Sequence, residues 1–164
     1  MDQIVTEYSF QTFLPLITIF SVVIAITATH QWYYGFNLHD AMRIGMGAFF
    51  LVFAFFKVIN LHEFAEAYSM YDIIAKRAYW YGYLYPFIEI GLGIAYILNW
   101  RPKFINIFTM CLMLVCAAGV FIELRAGKKI VCACLGAVFK VPMTYVTLLE
   151  DLLAAGMAAL MLMI

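Results

Sequence analysis

The chain has 164 residues, 66% of them hydrophobic and 12% charged, with a formal net charge of zero and a mean hydropathy of +0.94. A soluble domain of this length carries about twice that charged fraction, so the solvent for much of this chain is lipid. No basic run exceeds Lys128-Lys129, which excludes the patch that nucleic-acid binding needs, and the length allows a single transmembrane bundle domain over residues 1–164.

The first twelve residues carry Asp2 and Glu7 and no Lys or Arg, and no small-residue cleavage site follows. The first apolar segment is therefore expected to stay in the mature protein rather than to leave as a signal peptide. Apolar stretches then occur at about 13–29, 44–61, 81–98, 104–124 and 143–164. At about 1.5 Å per residue each nearly crosses a hydrocarbon core of about 30 Å. Backbone exposed to lipid must satisfy its own hydrogen bonds, so the stretches read as helices. The expected fold is all-α, an integral membrane helical bundle of about five transmembrane helices.

Trp32-Tyr33-Tyr34, Tyr79-Trp80-Tyr81 and Trp100 stand at the edges of these stretches as interfacial anchors. Pro102 and Pro142 fall where helices begin or end, and Pro86 falls in the first turns of the third span. Gly45 and Gly47, Gly91 and Gly93, and the Ala154/Ala158 spacing are small residues that let helices approach. Between the second and third spans, 62–78 mixes Glu63, Glu66, Asp72, Lys76 and Arg77 with Phe64, Tyr68, Tyr71 and Ile74. That pattern predicts a helix lying in the membrane interface.

Five spans put Lys76, Arg77, Arg125, Lys128, Lys129 and Lys140 on one side and Arg43, Arg101 and Lys103 on the other. Six against three predicts that the N-terminus and the loop bearing Cys132 and Cys134 lie on the cytoplasmic side.

Cysteines stand at 111, 116, 132 and 134, which is not the framework of a small secreted disulfide protein. Cys132-Ala133-Cys134 is a two-thiol chelator in a polar loop. Two thiolates do not complete a four-coordinate zinc site but suit a soft ion content with two ligands, such as Cu(I) or Hg(II). The same pair could close a strained, easily reduced disulfide, and Gly136 allows a sharp turn after it. The plain alternative is two incidental small residues at a membrane surface.

Lys57, Glu89 and Glu150 are ionisable residues inside apolar stretches, where charge is expensive and usually paired. Counted from the ends of their helices, all three lie roughly 8–12 Å beneath the face that bears the cysteine loop. A Lys57–Glu89 pair with Glu150 nearby is expected, either as a register-fixing ion pair or as part of a functional site. Asp151 is expected to point elsewhere, because neighbours on a helix diverge by roughly 100°. Cys116 reaches a similar depth and is the better second thiol station, whereas Cys111 lies deeper and on another side of the helix. Both, like the dispersed methionines, also fit ordinary packing. His30, His39 and Asp40 form a weak metal signal on the opposite face, and His62 and Glu63 could add a ligand or merely cap the second helix. No phosphate-binding, dinucleotide, serine-hydrolase or zinc-protease motif is present.

Taken in order, several of these runs resemble the MauE/DoxX-like family of small multi-pass membrane proteins. They are Arg43-Ile44-Gly45 with Phe49 and Phe56-Lys57, Tyr71-Asp72 with Tyr85-Pro86, and Glu89 with Gly91. Cys132-Ala133-Cys134-Leu135-Gly136, Val141-Pro142 and Thr147-Leu148-Leu149-Glu150-Asp151 complete the set. The resemblance implies a four-helix core over 43–164, with 1–42 an additional N-terminal helix and loop. It implies redox maturation, including help to the disulfide-rich subunit of methylamine dehydrogenase, and hence thiol exchange in the periplasm. Relatives joined to heavy-metal-associated domains imply soft-metal handling instead. Lys57, Glu89, Cys132, Cys134 and Glu150 are matching positions to which the resemblance assigns no roles.

The leading expectation is membrane soft-metal transport or handling. Cys132 and Cys134 capture a Cu(I)- or Hg(II)-like ion, and Cys116, Glu89 and Glu150 line its path or couple protons. The alternative is a thiol–disulfide oxidoreductase, or its membrane partner, in which Cys132 and Cys134 cycle. A non-catalytic scaffold is the third reading. The expected partners are the lipid bilayer and a metal-delivering or thiol-containing protein.

Overall fold

The computed structural model describes the backbone of residues 10–127, 131–132, 141–142 and 145–164, and the side chains of 14–127 and 147–164. Five long helices form a bundle: α1 (Phe10–Tyr34), α2 (Leu38–Ile59), α4 (Trp80–Ile97), α5 (Pro102–Arg125) and α6 (Tyr145–Met163), with a short α3 (Leu61–Ser69) between α2 and α4. Two short strands, β1 (Val131–Cys132) and β2 (Val141–Pro142), pair antiparallel, with Val131 opposite Pro142 and Cys132 opposite Val141. Among the described residues, α1, α2 and α5 are long and apolar enough to cross a membrane. The α4 and α6 helices, of 18 and 19 residues, pack beside them. This is the helical membrane bundle expected from composition.

The helices start and stop where local chemistry dictates. Asn37 caps α2 by accepting from the Asp40 N–H at 3.1 Å, and Pro102 opens α5. Arg43 Nη1 donates to the Tyr96 and Ile97 carbonyls at 2.8 and 2.6 Å, placing a cation at the C-terminus of α4.

Packing pairs α5 with α6, α2 with α4, and α1 with α2. Leu16, Ile19 and Val23 of α1 are buried, while Leu14, Ile17, Val22 and Ile24 on its other sides are exposed. A helix apolar all round with one buried stripe is a lipid-facing span. The α2–α4 contact depends on missing side chains: a Cβ on Gly93 would meet Leu51 Cγ at 2.6 Å and the Gly47 carbonyl oxygen at 3.1 Å. Ala154 and Ala158 are buried as well. Gly91 faces open space, and Gly45 has only an ordinary contact with Thr27 Oγ1 at 3.5 Å, so the close-approach role belongs to Gly47 and Gly93.

The segment after α2 departs from expectation. The helix ends at Ser69, and the chain turns inward instead of lying along the interface as one helix. Phe64, Tyr68, Tyr71, Asp72 and Ala75 are all buried, so α3 and the following turns plug one end of the bundle. Asp72 Oδ1 accepts from the Ile74 and Ala75 N–H groups at 2.9 and 2.8 Å, a side-chain turn that competes with helix continuation. Lys76 of the plug pairs with Glu123 of α5. The plug sits close because α5 carries Gly119: a Cβ there would meet the Tyr71 carbonyl oxygen at 2.7 Å and Asp72 Cα at 3.4 Å. Those are backbone atoms that cannot swing aside. Gly119→Ala should therefore destabilise the detergent-solubilised protein by roughly 1–3 kcal/mol, as overpacking does, while Gly91→Ala leaves it unchanged or firmer. Equal melting temperatures for the two variants would show that the plug does not need this slot.

Candidate functional site

Beneath the plug lies a cavity of about 40 Å³, room for water or a small ion, walled by α2, α3, α4, α5 and α6. The expected contact is present: Lys57 Nζ lies 2.5 Å from Glu89 Oε1, with both side chains almost wholly buried. Lys57 arrives from the last turn of α2 and Glu89 from the middle of α4. The ammonium also stands 4.9 Å from the Tyr85 ring centre and 5.5 Å from that of Phe64. One carboxylate and two aromatic faces thus replace the water this charge gives up.

Cys116 lines the same cavity from α5. Its Sγ lies 3.4 Å from both the Tyr68 and Tyr85 hydroxyls, and either atom of each pair can be the donor. Burial pushes the Tyr68 phenol well above its ordinary range, so it stays an O–H at neutral pH. Sequence reasoning named Tyr68 in the 62–78 run and Tyr85 in a family-resembling run but gave neither a place in the site. The available signal was their position, one on the plug and one on α4 four residues before Glu89. Asp72 was likewise named only as part of those runs, and Glu123 was missed; they are buried acids on the plug and on α5.

Glu150 and Asp151 of α6 both line this cavity. The expectation that Asp151 points elsewhere is thus corrected. Two side chains roughly 100° apart can still reach one cavity when it lies along the helix face between them. Glu150 is 8% exposed, and its Oε1 has no hydrogen-bond partner among the described residues. The described lining residues bring three carboxyl groups (Glu89, Glu150 and Asp151) and one ammonium (Lys57). Ionisable groups gathered inside a membrane bundle in this way are costly unless paired, and the lining holds more acids than bases.

The other sequence-derived candidates lie elsewhere. Cys111 is exposed on α5. His30 Nδ1 lies 3.3 Å from Asp40 Oδ2, and Asp40 Oδ1 holds Arg43 at 2.5 Å, an arrangement that ties the α1–α2 turn to the end of α4. His62 is exposed, with Nδ1 2.7 Å from the Tyr83 hydroxyl, and Glu63 is exposed beside it. Among the described residues, no three His, Cys, Asp or Glu groups form a ready metal cluster. The backbone of Cys132 lies in β1, which packs beside α3 of the plug. The side chain of Cys132 and the whole of Cys134 fall outside the described residues.

A helical bundle with an acid-rich, thiol-bearing cavity under a plugged end defines a multi-pass membrane protein with an intramembrane polar site. The chain belongs to the MauE family, described as methylamine utilisation protein MauE, which it matches over residues 35–164, from the turn before α2 to the end of α6. No curated protein and no solved structure matches the chain.

Proposed function

We propose that this protein handles a soft metal ion, Cu(I)- or Hg(II)-like, at the bacterial inner membrane. Cys132 and Cys134 capture the ion, and the cavity beneath the plug receives it. The observation that carries this reading is the buried Cys116 thiol, in a cavity whose described lining also holds more carboxyl groups than ammonium. Carboxylates supply the charge a cation needs after it loses water, and the thiol supplies a soft donor. The backbone of Cys132 lies on the side of the plug, because β1, which contains it, packs on α3. The metal here is cargo rather than a resident centre, so a preformed three-ligand cluster is not required. The excess of Lys and Arg on the side of the cysteine loop supports a cytoplasmic, reducing location for the pair.

Family membership favours a second reading. MauE proteins are described by methylamine utilisation, and the redox-maturation role that the resemblance implies would have Cys132 and Cys134 exchange with thiols of a partner outside the cytoplasm. One experiment separates the two: labelling whole cells with a membrane-impermeant maleimide, before and after permeabilisation, with and without reductant. The soft-metal reading expects Cys132 and Cys134 to label only after permeabilisation and without reductant. Labelling from outside, and only after reduction, would overturn it in favour of thiol–disulfide exchange.

A further inference from the structure

The α1 helix packs on α2, and a groove of about 710 Å³ parts it from α6. A smaller space of about 380 Å³ follows the same two helices toward the plug end. The wall of the larger groove is apolar apart from Thr27, Gln31 and Glu150. Thr27 Oγ1 donates to the Val23 carbonyl at 2.9 Å, and Gln31 Oε1 accepts from the Asn37 N–H at 2.8 Å, so both are held by their own chain. Ile24 and Leu153 are 65% and 56% exposed on this wall. The groove therefore opens sideways and continues the lipid-facing surface of α1.

We propose that this groove is a binding site for one acyl chain of a bilayer phospholipid, drawn from the leaflet opposite the plug. Its mouth lies at the α1–α2 turn, and α2 runs from that turn to the plug, so the two stand at opposite ends of the bundle. Trp32 and Phe36 at the mouth are 88% and 83% exposed, an aromatic edge at the level where headgroups sit. From Phe20 to Trp32 the wall climbs α1 by roughly 18 Å, and from Phe49 to Ala41 it climbs α2 by roughly 12 Å, at about 1.5 Å per residue. One leaflet supplies roughly 15 Å of hydrocarbon, half of a core of about 30 Å, so a single chain matches the groove from mouth to floor. Gly45 keeps the floor clear: a Cβ there would meet only Thr27 Oγ1, at 3.5 Å. A tail that moves from bulk lipid into the groove gains no hydrophobic energy. Close packing holds it, and shape selects it. The described wall carries no Lys or Arg, so the site reads the chain and not the charge of the headgroup. The chain completes the packing of α1, which otherwise rests on α2 through Leu16 and Ile19 against Phe53.

The test is native mass spectrometry of the full chain, released from nanodiscs that hold phosphatidylethanolamine and phosphatidylglycerol in equal amounts. The unsubstituted protein should keep one phospholipid per chain, with the two headgroups represented alike. Ala28→Phe fills the groove from α1 and Gly45→Leu fills it from α2, and each should lower the lipid-bound fraction several-fold. Ala28 is exposed, so its substitution disturbs no packed contact and decides the matter if Gly45→Leu does not fold. Ala25→Phe adds the same ring at an exposed position of α1 outside the groove and should leave the lipid in place. No retained lipid in the unsubstituted protein, equal retention in Ala28→Phe and Ala25→Phe, or retention of phosphatidylglycerol alone would overturn the proposal. So would a dimer that Ala28→Phe abolishes, because it would put a second copy of the chain in the groove.

Discussion

Replacing Cys132 and Cys134 together by Ser should weaken binding of Ag(I) or Cu(I) to the purified protein by roughly 100-fold or more. Loss of an outer-shell partner alone costs a metal site about 10- to 100-fold, and here both soft donors of the capture pair are removed. Hydroxyls are hard, neutral donors that do not substitute for thiolates toward a soft ion. The fold should tolerate the change, because the pair lies in the connection between α5 and α6 rather than in a helix of the bundle. Cys116→Ser should behave differently. Surface capture should persist, while uptake of the ion into proteoliposomes falls, since the substitution touches only the buried thiol between Tyr68 and Tyr85. Competitive titration against a chelator of known affinity reads the first effect. Unchanged affinity in the double variant would end the soft-metal reading.

Glu89→Gln is the second large effect, and it is one of stability. Lys57 is 6% exposed and Glu89 2%, so the variant leaves a buried ammonium without its nearest anion. Breaking one side of a buried pair typically costs about 3–5 kcal/mol, and the lower end is expected here because two further acids, Glu150 and Asp151, share the cavity and can release a proton to offset the charge. Lys57→Met/Glu89→Met should recover most of that loss, since a well-packed apolar pair can replace a buried ion pair without penalty. Melting in detergent, followed by the fluorescence of the native tryptophans, measures both variants. A Glu89→Gln protein that melts with the wild type would mean that Lys57 is neutral or compensated fully by the other two acids.

The ion pair was legible in the sequence because charge inside an apolar run is conspicuous. Lys57, Glu89 and Glu150 stand out for the price lipid sets on them, and their distance from the helix ends placed them at one depth. The partners of Cys116 were not legible. A chain with eleven tyrosines gives no reason to pair Tyr68 and Tyr85 with Cys116 until α3 folds inward. Nor did the mixed polar and aromatic run at 62–78 disclose that it would plug the bundle. An amphipathic pattern fits a membrane surface and a protein surface equally well, and the slot left by Gly119 decides between them.

By itself the sequence determined that this is a membrane protein, where its helices run and which residues are costly in lipid. Those properties are sums along the chain: hydropathy accumulates residue by residue, and each span closes its own backbone hydrogen bonds. The tertiary structure alone decided what those residues meet. Lys57 finds Glu89 across 32 residues of chain, and Cys116 finds Tyr68 across 48. Glu150 faces a charged cavity on one side and an apolar groove on the other. Such meetings depend on which helix faces dock, and that is set by close packing at positions such as Gly47, Gly93 and Gly119, where lipid-soluble helices discriminate by shape rather than by hydrophobicity.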